Sequence, residues 1–534
     1  MTGTGTNPSV TTKPGSGRTL ASGDAATRRR ETELLRFLLP PSVFVSGAVV
    51  LVLEILGTRL IGPVYGTSLY VWSTLIAVTL VSLALGYWLG GRLADLAPRA
   101  SVFFLLFDAA ALLIALVPMM REPVFDLTRP WGLRGGALGS AVLFLAAPLT
   151  ILGMISPFAV RLAAEMLATV GRTTGKLYAI STAGSLAGTL LAGFYLIPEF
   201  RVRTIFFGSA AALIVPAALY QLLSRRRQLV ASMMVAAVLV LATTRPITKA
   251  ESVLLVRDSF FGQIKVIQDG GLRVLLLNGA SQTVVVPGTG ESLIDYPWVM
   301  AEAAWRAAPE GKRAVIVGLG GGVLPPILAT WGVQSQVVEI EPAMVETAQR
   351  YFAFDPSRTP VAIADGRQFL AASAERYDYV FLDAFAGEMV PSHLLTREMM
   401  SLVDEHLNPG GLVLLNYVGY RTGDRARSLR SVVATMGERF PWLRVIACGT
   451  GGDYGGNVVV AGRTPAALRT GDPPFQMPAP TAAQVAMARE HHPTGPHTIL
   501  TDDYNPLDLW AVAEHEEWRR EALAWLPWDV ALAE

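Results

Sequence analysis

One cysteine, Cys448, is the only thiol in the chain, so an internal disulfide is excluded. Six histidines are present and none falls in a zinc-type spacing, which leaves no metal centre to expect. Charge is scarce too: 16% of the residues are charged, and a formal net charge of +1 offers no basic surface for nucleic acid. A soluble enzyme of 534 residues would carry more charge than that, and the mean hydropathy of +0.41 says where the deficit lies. Part of the chain must sit in lipid, so the bilayer is its first expected partner. Residues 1–27 are short of large apolar side chains and cannot bury enough surface to offset chain entropy. Disorder is expected there, within a cytoplasmic arm reaching residue 36.

Long apolar runs are what the sequence has in abundance, almost all before residue 245. Stretches of near-spanning length recur at 42–62, 69–91, 100–120, 137–160, 176–197 and 204–223, and Leu229–Thr244 is a shorter seventh. Residues 37–245 therefore read as a helical bundle of six or seven transmembrane spans, a multi-pass protein of the cell membrane. Basic residues cluster in the arm, at Arg92 and Arg99, at Arg161, Arg172 and Lys176, and at Arg225–Arg227. Those are alternate loops, which puts the N-terminus in the cytoplasm. Seven spans would then send the C-terminal half outside, whereas the chemistry below needs a cytosolic nucleoside. A cytoplasmic C-terminal half is expected, with the seventh segment along the interface or the charge count misleading about the N-terminus. Ser181, Gly184, Ser185, Gly188 and Gly193 form a small-residue face suited to close helix packing. Glu54, with Arg59 as its nearest candidate partner, and Asp108 are ionisable groups in lipid and open the question of a substrate path.

After a polar linker at 243–249 the pattern changes to short β-rich runs. Val253–Val256, Ile264–Ile267, Val274–Leu277 and Thr283–Val286 predict a small antiparallel sheet within residues 251–300. From 301 to the end, strands alternate with helix-length segments, the order of a doubly wound α/β sheet. Its first strand runs into Gly318-Leu319-Gly320-Gly321-Gly322, a turn whose glycines let backbone approach a ligand at a helix start. Glu339 ends the second strand twenty-one residues after Gly318, where a carboxylate can accept both ribose hydroxyls. Val323 stands where a dinucleotide fingerprint has its third glycine, which favours an adenosine cofactor without pyrophosphate, such as S-adenosylmethionine or a derivative. Asp365, followed by Gly366, and Asp383 follow the third and fourth strands, where such sheets hold their ligands. A helix-capping role is the alternative for each.

Several stretches resemble the spermidine synthase (polyamine aminopropyltransferase) family over about residues 251–420: Ser259-Phe260-Phe261-Gly262-Gln263-Ile264, Leu277-Asn278-Gly279-Ala280-Ser281-Gln282, the glycine turn, Val338-Glu339-Ile340-Glu341, Ala364-Asp365-Gly366 and Asp378–Asp383. Tyr70-Val71-Trp72-Ser73 and Leu85–Arg92 look like the membrane-fused branch of that family. The resemblance implies a methyltransferase-like α/β domain behind a small N-terminal β-sheet. It also implies decarboxylated S-adenosylmethionine as co-substrate, with no tightly bound cofactor, and a small-molecule amine such as putrescine as acceptor. Spermidine-like product and methylthioadenosine would result, and a homodimer is open. By resemblance Asp383 orients and deprotonates the amine, Glu339 holds the ribose and Asp365 the adenine amino group. Gln263, Gly318, Gly320 and Gly366 belong with the donor, Gln282 lies between donor and acceptor, and Tyr296 belongs to the acceptor.

The chain also departs from the family pattern. Asn278, Gly321 and Ala386 stand where acids are usual, and Pro297 and Trp298 replace the His and Glu after the tyrosine. A diamine is a dication that carboxylates bind, so replacement acids are sought in Thr501-Asp502-Asp503-Tyr504-Asn505-Pro506. Asp502 and Asp503 are expected over the mouth of the sheet as acceptor ligands, the alternative being a cap for a helix at 507–518. Methyl transfer from intact S-adenosylmethionine, and a nucleoside-sensing transporter, remain as other function classes.

Overall fold

The computed structural model describes residues 17–66, 68–164, 170–224, 229–244, 251–308, 310–385, 387, 389–449 and 452–533. Its N-terminal half is helical: α1 (Gly17–Tyr65), α2 (Leu69–Leu96), α3 (Ala100–Leu116), α4 (Arg121–Thr128), α5 (Gly132–Ala141), α6 (Ala147–Ala164), α7 (Val170–Leu191), α8 (Ile197–Glu199), α9 (Val202–Leu223) and α10 (Leu229–Thr244). The arm expected to be disordered is helical from Gly17, as its alanines, arginines and glutamates favour; residues 1–16 lie outside the described residues. Among the described residues five stretches are long and apolar enough to cross a membrane: Arg30–Tyr65, Leu69–Leu96, Ala100–Ala164, Gly171–Glu199 and Val202–Leu223. The third, 65 residues, would be about 100 Å long if straight. It folds back instead, breaking at Pro118, Pro130 and Gly132, whose φ is +73°, so that Phe103 of α3 meets Phe158 of α6 at 5.9 Å.

Small residues set the close helix contacts, as the sequence suggested for one face. A Cβ on Gly184 or Gly188 of α7 would meet the carbonyl oxygens of Phe44 and Ala48 at 2.1 and 2.4 Å, so α1 and α7 touch backbone to backbone. Gly193 has open space and is not part of that face. The same device joins α2 and α6, where Gly86 and Gly90 lie on Gly153 and Met154.

Asp108 is buried in α3 and accepts hydrogen bonds from Gln221 (2.8 Å) on α9 and Ser232 (2.7 Å) on α10. These bonds tie α10 to α3 and α9, because a carboxylate in apolar surroundings needs those donors. Helix α10 starts beside the end of α9 and packs back along it. The chain then enters the C-terminal half, whose first strand touches α8. The C-terminal half also abuts Pro63 at the end of α1. It therefore stands at the end of the bundle opposite the start of α1. Arg59 does not turn to Glu54; it reaches the C-terminal half.

The antiparallel meander is present as β1 (Val253–Asp258), β2 (Gln263–Asp269), β3 (Leu272–Leu277) and β4 (Ala280–Val285). Helix α11 (Tyr296–Ala307) leads into the large sheet: β5 (Arg313–Val317), β6 (Gln334–Glu339), β7 (Val361–Ile363), β8 (Tyr377–Leu382), β9 (Leu407–Tyr420), β10 (Trp442–Ala447), β11 (Tyr454–Gly462) and β12 (Arg489–His491). Its order is β12-β10-β11-β9-β8-β5-β6-β7, with β7 through β9 parallel and the other three strands antiparallel. Helices α12 (Leu324–Ala329), α13 (Pro342–Tyr351), α14 (Gly366–Ala372), α15 (Arg397–Glu405) and α16 (Arg427–Arg439) connect the strands, and α17 (Ala479–Ala486), α18 (Leu507–Trp510), α19 (Val512–Trp525) and α20 (Trp528–Ala531) complete the chain. The chain adds β6 and β7 on one side of β5 and then β8 and β9 on the other, so the winding reverses between β5 and β8. Such a switch point opens a crevice at the carboxyl ends of the strands.

Candidate active site

Gly318 leaves β5 and Asp383 leaves β8 on the two sides of that switch point. Gly318 has a φ of +100°, and a Cβ there would lie 2.3 Å from the carbonyl oxygen of Asp383. Only glycine permits both the turn and this approach. The crevice holds a cavity of about 250 Å³ lined by Gly318, Gly320, Glu339, Asp365, Gly366 and Asp383, with Gln282 and Tyr296 on its wall. Seven of those eight residues were predicted to meet there as a donor site with its base; the eighth, Tyr296, was assigned to the acceptor side.

Glu339 is buried at the end of β6. One oxygen accepts from the Leu319 amide and the other from the Glu341 amide, both at 2.9 Å, and each keeps a lone pair for a ligand. Burial raises its pKa, and the amide hydrogen bonds oppose the rise. Asp365 caps α14 through the Gln368 amide (3.0 Å), and its second oxygen meets His393 Nε2 at 3.0 Å. Capping and cavity lining are here the same residue's two tasks.

Asp383 is the most perturbed acid in the cavity. Burial pushes its pKa up to about 7, against the hydrogen bonds it accepts from Asn416 Nδ2 (2.9 Å) and the Tyr296 hydroxyl (3.3 Å). A carboxylate with a pKa near neutrality, held by two donors, suits proton abstraction. Tyr296, half-buried beside that acid, is raised well above its usual pKa by desolvation and by the carboxylate, and stays a neutral donor.

A second cavity of about 280 Å³ shares Gln282, Tyr296 and Phe385 with the first. Asn416 joins its wall, so the Asp383 carboxylate stands at the partition between the two. Aromatic rings of Tyr296, Phe385, Tyr454 and Trp518 surround it, with Asp295 and Glu521 as its acids. Among the described residues no lysine or arginine lines either cavity. The combination suits cations in both, because aromatic faces and carboxylates attract them.

Two predictions for site residues are corrected. Asp502 forms a forked pair with Arg367 at 2.7 and 2.6 Å, a geometry in which guanidinium and carboxylate match, and Asp503 is exposed. Neither is among the residues lining the first cavity or the second. Their segment instead braces the first cavity's wall: Arg367 also donates to the His393 carbonyl, and Asn505 donates to that of Ser392, next to cavity-lining His393 and Leu394. Gln263 is likewise outside the cavity, its amide turned to Asp258 at 3.1 Å.

The departures from the family pattern have local causes. At Gly321 a Cβ would meet the Thr283 side chain at 2.6 Å, so no acid fits, and Thr283 accepts the Gly321 amide hydrogen. Asn278 adopts φ +51° and accepts from the Gln263 amide, a structural task. Trp298 is buried and donates to the Ser292 carbonyl. Ala386 lies outside the described residues.

The model of the spermine/spermidine synthase domain matches residues 296–420. Residues 296–420 are therefore similar to the spermine/spermidine synthase domain. Among curated relatives, the polyamine aminopropyltransferase of Vibrio vulnificus is 31% identical over 190 residues, 33% of this chain and 64% of that protein. The N-terminal histidine N-methyltransferase of Emericella nidulans is 33% identical over 137 residues, 24% of each chain. Both matches span less than two thirds of the relative's length. Among solved structures, a probable spermidine synthase from Corynebacterium glutamicum is similar at 18% identity and TM-score 0.36, covering 48% of this chain and 99% of that one. Spermidine synthase from Thermotoga maritima gives 18% and 0.34, covering 40% and 74%. Asn416, Asp295, Tyr454, Trp518 and Glu521 were missed in the sequence. Asn416 had a signal, a lone amide in an apolar strand, whereas Glu521 looks like any acid on a surface helix.

Proposed function

We propose that the C-terminal half transfers an aminopropyl group from decarboxylated S-adenosylmethionine to putrescine or a related amine. The observation that carries this reading is the pair of adjoining acid-lined cavities, free of lysine and arginine, that meet at Asp383. In the first, Glu339 takes the ribose hydroxyls and Asp365 with Gly366 the adenine, so the sulfonium points toward Asp383. In the second, an ammonium lies against Tyr296 and Tyr454 while its far charge reaches Glu521 or Asp295. Asp383 accepts one proton from the attacking ammonium, whose freed lone pair forms the N–C bond. As that bond forms, the C–S pair moves onto sulfur, and neutral methylthioadenosine leaves. Fixing both reactants across one partition supplies much of the acceleration, since a bimolecular step becomes effectively intramolecular.

Glu521 gives the acceptor assignment its test. Glu521→Gln should raise the KM of a diamine roughly tenfold and leave the donor KM unchanged, because only the far ammonium loses its partner. Equal effects on both, or none, would remove Glu521 from the acceptor site. The relatives also support a second reading, methyl transfer from intact S-adenosylmethionine to an amine, because an N-methyltransferase matches at comparable identity.

The helical half is proposed to be embedded in the membrane, with the catalytic domain in the cytoplasm, where a charged nucleoside is available. Because α10 returns the chain along α9, the N-terminal arm then lies on the other side. The basic residues Arg121, Arg129, Arg134, Arg201 and Arg203 belong to the domain end of the bundle but are outnumbered by those at the other end, so this orientation rests on the nucleoside and runs against the charge count. In intact cells a membrane-impermeant maleimide should label Leu96→Cys, exposed at the end of α2, and leave Asp503→Cys unlabelled, buried Cys448 staying silent. Labelling of both, or the reverse pattern, would contradict this orientation.

A further inference from the structure

The segment Ser259–Gly262 is a tight loop between β1 and β2 that closes on itself. The Ser259 amide and hydroxyl both donate to the Gly262 carbonyl, at 2.9 and 2.8 Å. Its exit is equally fixed, since a Cβ on Gly262 would meet the Asn278 amide group at 2.7 Å. Closing the loop this way leaves the carbonyls of Ser259 and Phe260 turned toward the helical bundle. Arg59, six residues before the end of α1, donates from one guanidinium nitrogen to both, each at 2.9 Å. A buried or half-buried carbonyl needs such a donor, and a charged one makes the stronger bond.

Two further features tie this contact to the donor cavity. Phe261, the next residue along, lines that cavity. Its ring lies 6.3 Å from that of Phe260, which lies 5.9 Å from Phe194 of the bundle, so three rings run from the bundle to the cavity wall. The charge of Arg59 is also felt by Asp258 and by Glu341, an acid of the cavity itself. Docking of the two halves does not depend on Arg59. Elsewhere the Pro63 carbonyl accepts from Arg519 at 3.2 Å and packs on Gly279, where a Cβ would come within 2.6 Å, and Arg134 pairs with Glu516 at 3.2 Å.

We propose that Arg59, on the first apolar helix, is a positioning residue of the donor site: it holds Ser259–Phe261 so that Phe261 closes the nucleoside cavity, and the bundle is thereby a working part of the enzyme. This rests on the donor-site reading above. Full-length protein should be titrated calorimetrically with methylthioadenosine. Arg59→Ala should raise its Kd about tenfold or more, the loss expected when a charged group's hydrogen bonds go. Arg59→Lys, which can still donate to both carbonyls, should recover part of the loss. Arg134→Ala, which removes a docking pair and leaves the loop alone, should bind as wild type. Arg59→Ala combined with Phe261→Ala should lose no more affinity than Phe261→Ala alone, because both act through one ring. If Arg59→Ala fails to fold, Phe194→Ala tests the same path and should raise the Kd about threefold through the lost ring contact. Wild-type affinity in Arg59→Ala (or in Phe194→Ala where that stands in), or an equal loss in Arg134→Ala, overturns the inference alone. A wild type without nucleoside affinity overturns the donor-site reading and this inference together.

Discussion

Asp383→Asn should lower kcat by roughly a hundredfold or more while methylthioadenosine still binds near wild-type affinity, since the amide keeps the carboxylate's shape and loses its basicity. The same residue sets the pH dependence. Its pKa is pushed up to about 7, so kcat/KM should rise with pH to a plateau just above neutrality, and that limb should vanish in the residual activity of the variant. Stability should move the other way. A folded-state pKa above the unfolded one means the folded protein holds the proton more tightly, so this contribution is full below the unfolded pKa and is lost as pH rises through about 7. Above that pH, Asp383→Asn should melt higher than wild type, the usual sign of a group kept for function at a cost in stability. Full activity in the variant would remove Asp383 from the chemistry.

Glu339→Ala should weaken methylthioadenosine binding by roughly a hundredfold, the scale of a few kcal/mol for hydrogen bonds made by a charged group. Two causes add. The ribose loses its acceptor, and the Leu319 and Glu341 amides lose theirs, so the glycine turn is loosened as well. Glu339→Gln keeps one acceptor oxygen and should fall between wild type and Glu339→Ala. Calorimetry that finds unchanged affinity in Glu339→Ala would contradict the nucleoside site.

What was legible in the sequence was whatever local pattern determines. The apolar runs gave the helices, alternation gave the β-meander, and the glycine turn, Glu339, Asp365 and Asp383 do meet at one cavity, because strand ends at a switch point converge wherever the chain wanders between them. The path of α10 was not legible, since its place depends on Ser232 meeting Asp108 more than a hundred residues away. The acids of the second cavity were not legible for a similar reason. Asp502 and Asp503 looked suited to an amine, but Arg367 takes Asp502, while Glu521 reaches that cavity from a helix whose position depends on the bundle beneath it. Gln263 failed as a donor ligand because the tight loop before it turns its side chain to Asp258.

The most direct measurement is to incubate the purified full-length protein with decarboxylated or intact S-adenosylmethionine and a panel of amines, and to identify the nucleoside product by mass spectrometry. Methylthioadenosine formed from the decarboxylated donor, in step with an aminopropylated amine and abolished in Asp383→Asn, is the predicted result. Adenosylhomocysteine formed from the intact donor, with no methylthioadenosine from the other, would contradict aminopropyl transfer and make the protein a methyltransferase.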